Sequence, residues 1–466
     1  MISTPADDSW RALLGPRHLG TSTLLAGGVA LYATNEFLTV SLLPSAIAEI
    51  GGERLFAWVT TLYLVGSVVA AASVNAILLR LGARWSFLWG LAVFGAGSLI
   101  CAAAPGMGVM LVGRTLQGAA GGLLAGLGYA LISTTLPRAL WTRASALVSA
   151  MWGVATVIGP AAGGLFAQFG LWRWAFGAMA ILSVAMAALV PLVLPAGHTR
   201  PDERSAGLKV PVWSVLLLSG AALTVSIAQI PTGVALTVML LAASAILVVV
   251  FVLVDRRAAV KVLPLSMFGP GPLKWIYLAL AVLMASAMVD MYVPLFGQRL
   301  AHLVPVVAGF LGAALAIGWA VSEFVSASLK SGKAVKRLVV AGPLVGAAGF
   351  VLAAVTQADH APVGLVVTWA AALTVAGAGM GAGWPHLSAW AMQCADEREG
   401  AAAGAAINTI EMIAGAFGAG LAGVVVNSAE GDLVIAARAL FAVFAVVGLL
   451  GAIASRRAAR NVGTPP

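Results

Sequence analysis

Runs of apolar residues separated by short polar gaps fill this chain almost from end to end. A helix that crosses a bilayer needs about 20 predominantly apolar residues. Fourteen stretches read as spans: 23–46, 56–79, 86–104, 107–136, 144–169, 174–194, 212–230, 233–254, 273–296, 304–328, 338–355, 363–392, 401–426 and 434–454. The gaps between them serve as turns, and none is long enough for a soluble domain. The longest polar stretches are 195–211 and 255–272. The pattern predicts an all-α membrane bundle.

Composition removes the soluble alternatives. Of 466 residues, 61% are hydrophobic and 9% charged, with a mean hydropathy of +1.01. A soluble domain carries about 25% charged residues. Length alone would allow two or three soluble domains, but the apolar runs replace that division with one continuous bundle. A formal charge of +9 would suggest nucleic acid in a soluble protein. Here it has a simpler source. With the N-terminus inside, nearly all of the 26 Lys and Arg fall on inner segments. Only Arg54, Arg173, Arg299 and Arg438 are outside, and Arg114 lies within a span. That asymmetry is what the positive-inside rule requires, so both termini are expected in the cytoplasm. Cys101 and Cys394 lie in apolar stretches with neither metal-ligand spacing nor a disulfide framework, and read as inert thiols. Residues 1–20 lack the apolar core and small-residue cleavage site of a signal peptide. Residues 10–14 could form a short helix on the membrane surface.

Weak internal symmetry divides the chain. A proline stands near the end of the first span (Pro44) and of the ninth (Pro294). Gly82 follows the second span as Gly332 follows the tenth. These pairs lie about 250 residues apart, the spacing that two related six-helix halves around an insert would give. The expected organisation is a six-helix bundle at 1–195, a linker with two inserted spans at 196–268, and a second six-helix bundle at 269–466. Repeats of this kind are typical of transporters, which bind substrate near the midplane where the repeats meet.

Five charged residues fall inside predicted spans: Glu36, Arg114, Asp290, Glu323 and Glu411. Each would cost roughly 2.5–3.5 kcal/mol at a helix centre, and such residues face a bundle interior or an aqueous cavity. A buried carboxyl poised between its protonated and ionised forms can carry a proton across. The bland alternative is structural, with the acids paired to Arg114 or to backbone. Four ionised acids against one base would make a cavity net negative and favour a cationic or proton-exchanged substrate. Glu36, Asp290 and Glu411 are the candidates for proton coupling. Asn35, Gln117, Trp152, Glu323, Trp384, His386 and Asn408 are the candidates for lining a substrate cavity. His386 is either a relay or a hydrogen-bonded structural histidine. Trp58, Trp85, Trp141, Trp172 and Trp275 fall near span ends and read as interfacial anchors.

Glycine marks two spans. In the fourth, Gly118, Gly122 and Gly126 share one helix face, where small residues let backbones approach closely. In the fifth, Gly153-Val-Ala-Thr-Val-Ile-Gly159-Pro160-Ala-Ala-Gly163-Gly164 adds a proline, which removes a backbone donor and can kink a helix.

Gly113-Arg114-Thr-Leu-Gln117-Gly118 resembles the fourth-helix motif of the major facilitator superfamily, in which the arginine is implicated in proton coupling. Gly159, Pro160, Gly163 and Gly164 resemble the fifth-helix signature of its antiporters, tied to export. Trp172-Arg173-Trp174-Ala-Phe176 and the two extra spans before Leu263-Pro264-Leu265 resemble its fourteen-helix drug:proton antiporters. Arg80, Gly82 and Arg84 match part of the superfamily's loop after the second helix. Leu79 stands where that loop has an acid that helps lock one conformation, and Asn75 replaces its first glycine. The first-helix Asp of the fourteen-helix branch is Asn35 here, with Glu36 beside it.

The resemblance implies a proton-coupled antiporter exporting small lipophilic or cationic molecules by alternating access, with Arg114 joining the proton-coupling residues. It would be a monomeric, multi-pass protein of a bacterial inner membrane, in contact with lipids, substrate and protons. No metal, cofactor, nucleic acid or enzyme activity is expected. The alternatives are an importer or uniporter of a small nutrient, against which the fifth-helix signature speaks, and a non-transporting sensor, against which the lack of any long extramembrane segment speaks.

Overall fold

The structure, a computed structural model, describes residues 9–52, 55–194, 212–228, 233–258, 261–303, 305–396, 399–429 and 432–462. Arg54 of an outer segment and Arg200, Arg204, Lys209 and Arg398 of inner segments lie outside them. Among the described residues the regular structure is entirely helical. The helices are α1 (Trp10–Leu13), α2 (Leu19–Ile50), α3 (Phe56–Ala102), α4 (Met107–Ala130), α5 (Ile132–Thr135), α6 (Trp141–Gln168), α7 (Trp172–Val193), α8 (Val212–Ala228), α9 (Val234–Asp255), α10 (Leu273–Ala287), α11 (Val293–Leu300), α12 (Pro305–Ser326), α13 (Gly332–Thr356), α14 (Val363–Cys394), α15 (Gly400–Asn427) and α16 (Leu433–Asn461).

Ten described helices are long and apolar enough to cross a membrane, and the chain is a multi-pass membrane protein. The expected second and third spans run together as the 47 residues of α3, broken where Gly82 takes φ 72° and ψ 170°. Only glycine adopts that backbone freely, and the Ser86 hydroxyl braces it by donating to the Gly82 carbonyl at 2.7 Å. The expected ninth span is also divided. A 3₁₀ turn, Met288–Tyr292, separates α10 from α11. Pro294 has no N–H for the Asp290 carbonyl four residues back, and the Val293 N–H takes that carbonyl instead. The polar residues that α2 and α4 carry lower their hydropathy, and neither is among the ten.

The described chain forms two compact units. Unit 1 takes in 1–223, 245–265 and 397–412; unit 2 takes in 224–244, 266–396 and 413–466. The same packing device appears in each. In unit 1 a Cβ on Gly118 or Gly122 of α4 would strike the backbone carbonyl of Tyr63 or Ser67 of α3. In unit 2 a Cβ on Gly377 or Gly381 of α14 would strike that of Leu315 or Trp319 of α12. Each pair of glycines is four residues apart and meets carbonyls four apart, so α4 on α3 and α14 on α12 are the same contact made twice.

Two of the expected interfacial tryptophans are instead buried. Trp85 is 58% exposed but Trp172 only 1% and Trp141 6%. Trp172 donates its Nε1–H to Glu49 at 2.6 Å, and Arg173 pairs with the same carboxylate at 3.0 Å while donating to the Ala104 carbonyl. Trp141 donates to the Leu136 carbonyl at 2.9 Å.

Asp255, read from sequence as the start of a polar loop, is also buried. Its carboxylate accepts from the Ser214 hydroxyl at 2.9 Å and from the backbone N–H groups of Val262 and Leu263 at 3.0 and 2.9 Å. It thereby ties the start of α8, the end of α9 and the segment that follows. Removing it leaves two buried N–H groups without their acceptor, at about 1–3 kcal/mol each. Asp255→Ala should therefore lower the melting temperature of detergent-purified protein well below that of wild type, and Asp255→Asn, which keeps one acceptor oxygen, should lower it less.

Candidate functional site

α4 carries a guanidinium into the interior of unit 1. Arg114 is 1% exposed, and among the described residues no carboxylate lies within ion-pair distance of it. Its partners are neutral. The guanidinium lies 3.9 Å from the centroid of the Tyr63 ring. Nε donates to the Val59 carbonyl at 3.4 Å and Nη1 to Gln117 Oε1 at 3.1 Å. A desolvated cation–π contact contributes about 2 kcal/mol. Because Gln117 Oε1 accepts from the arginine, its NH₂ must point away. It donates to Ser98 Oγ at 2.9 Å and to Asn35 Oδ1 at 3.3 Å. The Cys101 thiol closes the cluster on Gln117 Oε1 at 3.6 Å.

Glu36, next to Asn35 on α2, is not bonded to Arg114 but lies within its field. Tyr32 stands one turn earlier. Its ring stacks on Tyr63 at 5.3 Å, its carbonyl accepts the Tyr63 hydroxyl at 2.7 Å, and its own hydroxyl donates to Met412 Sδ at 3.4 Å. The carboxyls of both Glu36 and Glu411 reach Tyr32 electrostatically. Each has a buried Oε2 atom with no hydrogen-bond partner among the described residues. An ionised oxygen so placed is costly, and a proton or a cation relieves it. Trp152 of α6 meets the Tyr32 ring edge-on at 5.5 Å and Phe37 at 6.4 Å. Asn408 is 1% exposed, and among the described residues neither end of its amide has a partner. Unit 1 thus brings together Asn35, Glu36, Arg114, Gln117, Trp152 and Glu411 as one polar site with an aromatic wall, while Asn408, three residues before Glu411 on α15, lies beside Gly126 of α4. The sequence reading missed Tyr32, Tyr63 and Ser98. The signal for the tyrosines was their scarcity, since the chain has five and these two fall at mid-span beside the candidate charges.

The remaining candidates lie in unit 2. Asp290 occupies the 3₁₀ turn. Trp384 packs on Trp319 at 5.2 Å, and Glu323 is fully buried one turn before Ser326 on α12. His386 Nε2 lies 3.0 Å from the Ser326 carbonyl. A carbonyl only accepts, so this nitrogen carries the proton, and the contact is the structural role open to this residue.

The fifth-helix glycines pack directly behind Glu36. A Cβ on Gly159 would sit 2.6 Å from Phe37 Cβ, and one on Gly163 would strike the Leu38 carbonyl. Pro160 and Gly164 are exposed, and nothing lies within 4 Å of a Cβ on Gly164. α6 runs through Pro160 as one helix. Leu79 and Arg80, expected in a loop, lie in α3 just before its break at Gly82, and both are exposed, Leu79 at 47%.

The model of the Major Facilitator Superfamily matches residues 25–419, and the chain belongs to that superfamily of membrane transporters. It is 64% identical over 454 residues to proteins of two Mycobacterium tuberculosis strains, each named "Probable multidrug-efflux transporter", spanning 97% of this chain and 96% of theirs. The crystal structure of the human organic anion transporter MFSD10 (TETRAN) is similar at a TM-score of 0.69. It covers 94% of this chain and 100% of that one at 14% identity. The E. coli fucose:proton symporter FucP is similar at 0.55, over 93% and 98%, at 16% identity. At such identities these two likenesses establish the all-helical major facilitator fold alone.

The two halves of the Gly163-Gly164 pair make opposite predictions. Gly163→Ala forces α6 off α2 behind Glu36, and overpacking of this kind costs about 1–3 kcal/mol. Its melting temperature in detergent should fall clearly, while Gly164→Ala should match wild type.

Proposed function

We propose that the protein is a proton-coupled antiporter of the multidrug-efflux type, exporting small lipophilic or cationic molecules across a bacterial cell membrane by alternating access. The observation that carries this reading is the pair of carboxyls flanking Tyr32. Glu36 and Glu411 share one site, each with a buried oxygen that has no hydrogen-bond partner among the described residues, beside an aromatic wall suited to flat or apolar compounds. The name of the 64% identical mycobacterial proteins supports the direction and the substrate class.

In this reading a cationic substrate binds when the carboxyls are ionised, with the rings of Tyr32, Phe37 and Trp152 against its apolar part. A proton from outside neutralises a carboxylate and displaces the cation. The protonated carboxyl then returns to the inside-facing state and gives up its proton there. Charge balances, since one cation leaves for each proton that replaces it. Arg114 supplies a fixed positive charge beside Glu36. Asp290 is the corresponding protonatable group of unit 2. Trp384, His386 and Glu323 add polar and aromatic surface there. The amides of Asn35 and Asn408 orient substrate, while Gln117, whose amide is taken up by Arg114, Ser98 and Asn35, holds that arginine in place. Arg80, Gly82 and Arg84 set the conformational balance without the acid that Leu79 replaces. Fourteen spans, organised as 1–195, 196–268 and 269–466, a monomeric state and both termini inside belong to the same reading and rest on the apolar runs and the distribution of Lys and Arg.

Proteoliposomes with an imposed pH gradient test it, with ethidium, tetraphenylphosphonium and puromycin as probes. Wild-type protein should accumulate at least one of them against its gradient. Glu36→Gln and Glu411→Gln should cut gradient-driven flux at least about tenfold, ~1.4 kcal/mol in the barrier, while leaving substrate exchange at zero pH gradient largely intact. Flux that ignores the pH gradient in wild type, or that persists in the double variant, contradicts proton coupling at these residues.

A further inference from the structure

Four basic side chains surround an open groove of about 500 Å³ at one end of unit 2. Lys336 and Arg337 come from the first turns of α13, and Arg456 and Arg460 from the last turns of α16. The two helices run antiparallel there, and Lys336 Nζ donates to the Val462 carbonyl just past α16 at 2.6 Å. Further along they touch, where Gly448 and Gly451 of α16 meet Pro343 of α13. The floor of the groove is apolar and includes Ala341 and Leu344.

Among the described residues the four cations have no counter-charge, since no carboxylate there lies within ion-pair distance of any of them. Arg337, Arg456 and Arg460 are exposed around the opening. Like charges gathered this closely repel one another, and an anion between them relieves the repulsion. Guanidinium groups bind phosphate through paired N–H donors.

The floor distinguishes a lipid from a soluble anion. Leu344 is 46% exposed, and Val345, Val351 and Leu352 continue an exposed apolar surface along α13. Leu344 lies seven residues beyond Arg337, about 10 Å along the helix axis at 1.5 Å per residue. A ligand that fills the groove meets positive charge at one end and hydrocarbon-compatible surface at the other. Basic pockets between transmembrane helices on the cytoplasmic side recognise anionic lipid headgroups. We propose that this groove is a binding site for an anionic phospholipid, with Arg337, Arg456 and Arg460 on its phosphate and an acyl chain along Ala341 and Leu344. The site rests on the geometry of unit 2 and is independent of the substrate and of proton coupling.

Native mass spectrometry of the full chain in detergent tests this, with phosphatidylglycerol titrated against phosphatidylcholine and against inorganic phosphate. Phosphatidylglycerol should stay bound as a single adduct at detergent concentrations that strip phosphatidylcholine, and millimolar phosphate should not displace it. The triple variant Arg337→Gln/Arg456→Gln/Arg460→Gln should bind it at least about tenfold more weakly. Ala341→Trp keeps every charge and fills the floor, so it should weaken binding as well. Arg11→Gln/Arg17→Gln, remote in sequence and in unit 1, should bind as wild type. Size-exclusion profiles report folding of each variant, and Ala341→Trp keeps the test decisive if the triple variant does not fold. Full binding by folded Ala341→Trp, equal retention of both lipids, or displacement by phosphate overturns the proposal.

Discussion

A guanidinium stays charged at any physiological pH, and α4 carries one into the apolar interior of unit 1 at Arg114. Every other feature of the site accommodates that charge. A carboxylate salt bridge would fix Glu36 in its ionised form and end its use as a proton carrier. The protein surrounds the arginine instead with the Tyr63 ring, the Val59 carbonyl and the Gln117 amide oxygen. This arrangement requires α3 and α4 in backbone contact, which Gly118 and Gly122 permit. The commitment of Gln117 to Arg114 then dictates its donors to Ser98 and Asn35, which ties α2 to the same cluster. Glu36 is left next to the network, in the field of the arginine but not bonded to it.

The Gly-Pro motif of α6 gains a physical meaning from the same geometry. Gly159 and Gly163 seat α6 on α2 at Phe37 and Leu38, immediately after Glu36. Trp152, two turns earlier on α6, contributes to the aromatic wall. The helix that bears the signature therefore sets both the position of the acid and the shape of the surface beside it. Pro160 and Gly164 face away from this contact, so the four-residue signature divides into a packing pair and an exposed pair.

Much of this was legible in the sequence because membrane helices obey few rules. Apolar length pointed to a multi-pass helical bundle, and the four-residue spacing of Gly118, Gly122 and Gly126 pointed to the face on which α3 packs. The cost of charge in hydrocarbon singled out Glu36, Arg114, Asp290, Glu323 and Glu411. What was not legible depended on partners distant in the chain. Trp172 reads as an interfacial anchor by its place in the chain, but Glu49, more than a hundred residues away, accepts its N–H. Asp255 looked like loop, yet its acceptors are filled by Ser214, Val262 and Leu263. Tyr63 carried no charge to attract notice, and its role comes from stacking against Tyr32 and Arg114. The division at Asp290 could have been read from Pro294, whose missing N–H frees the carbonyl four residues earlier.

The claim on which the functional reading turns is that Glu36 and Glu411 are protonatable carboxyls within the folded protein. Infrared difference spectroscopy of the protein in lipid, as the pH is stepped, observes the carbonyl stretch of a protonated carboxylic acid directly and needs no substrate. The wild-type spectrum should contain bands that appear on acidification, with one component lost in Glu36→Gln and a distinct one lost in Glu411→Gln. A spectrum left unchanged by both substitutions would show that neither residue exchanges a proton and would contradict the assignment of this site to coupling.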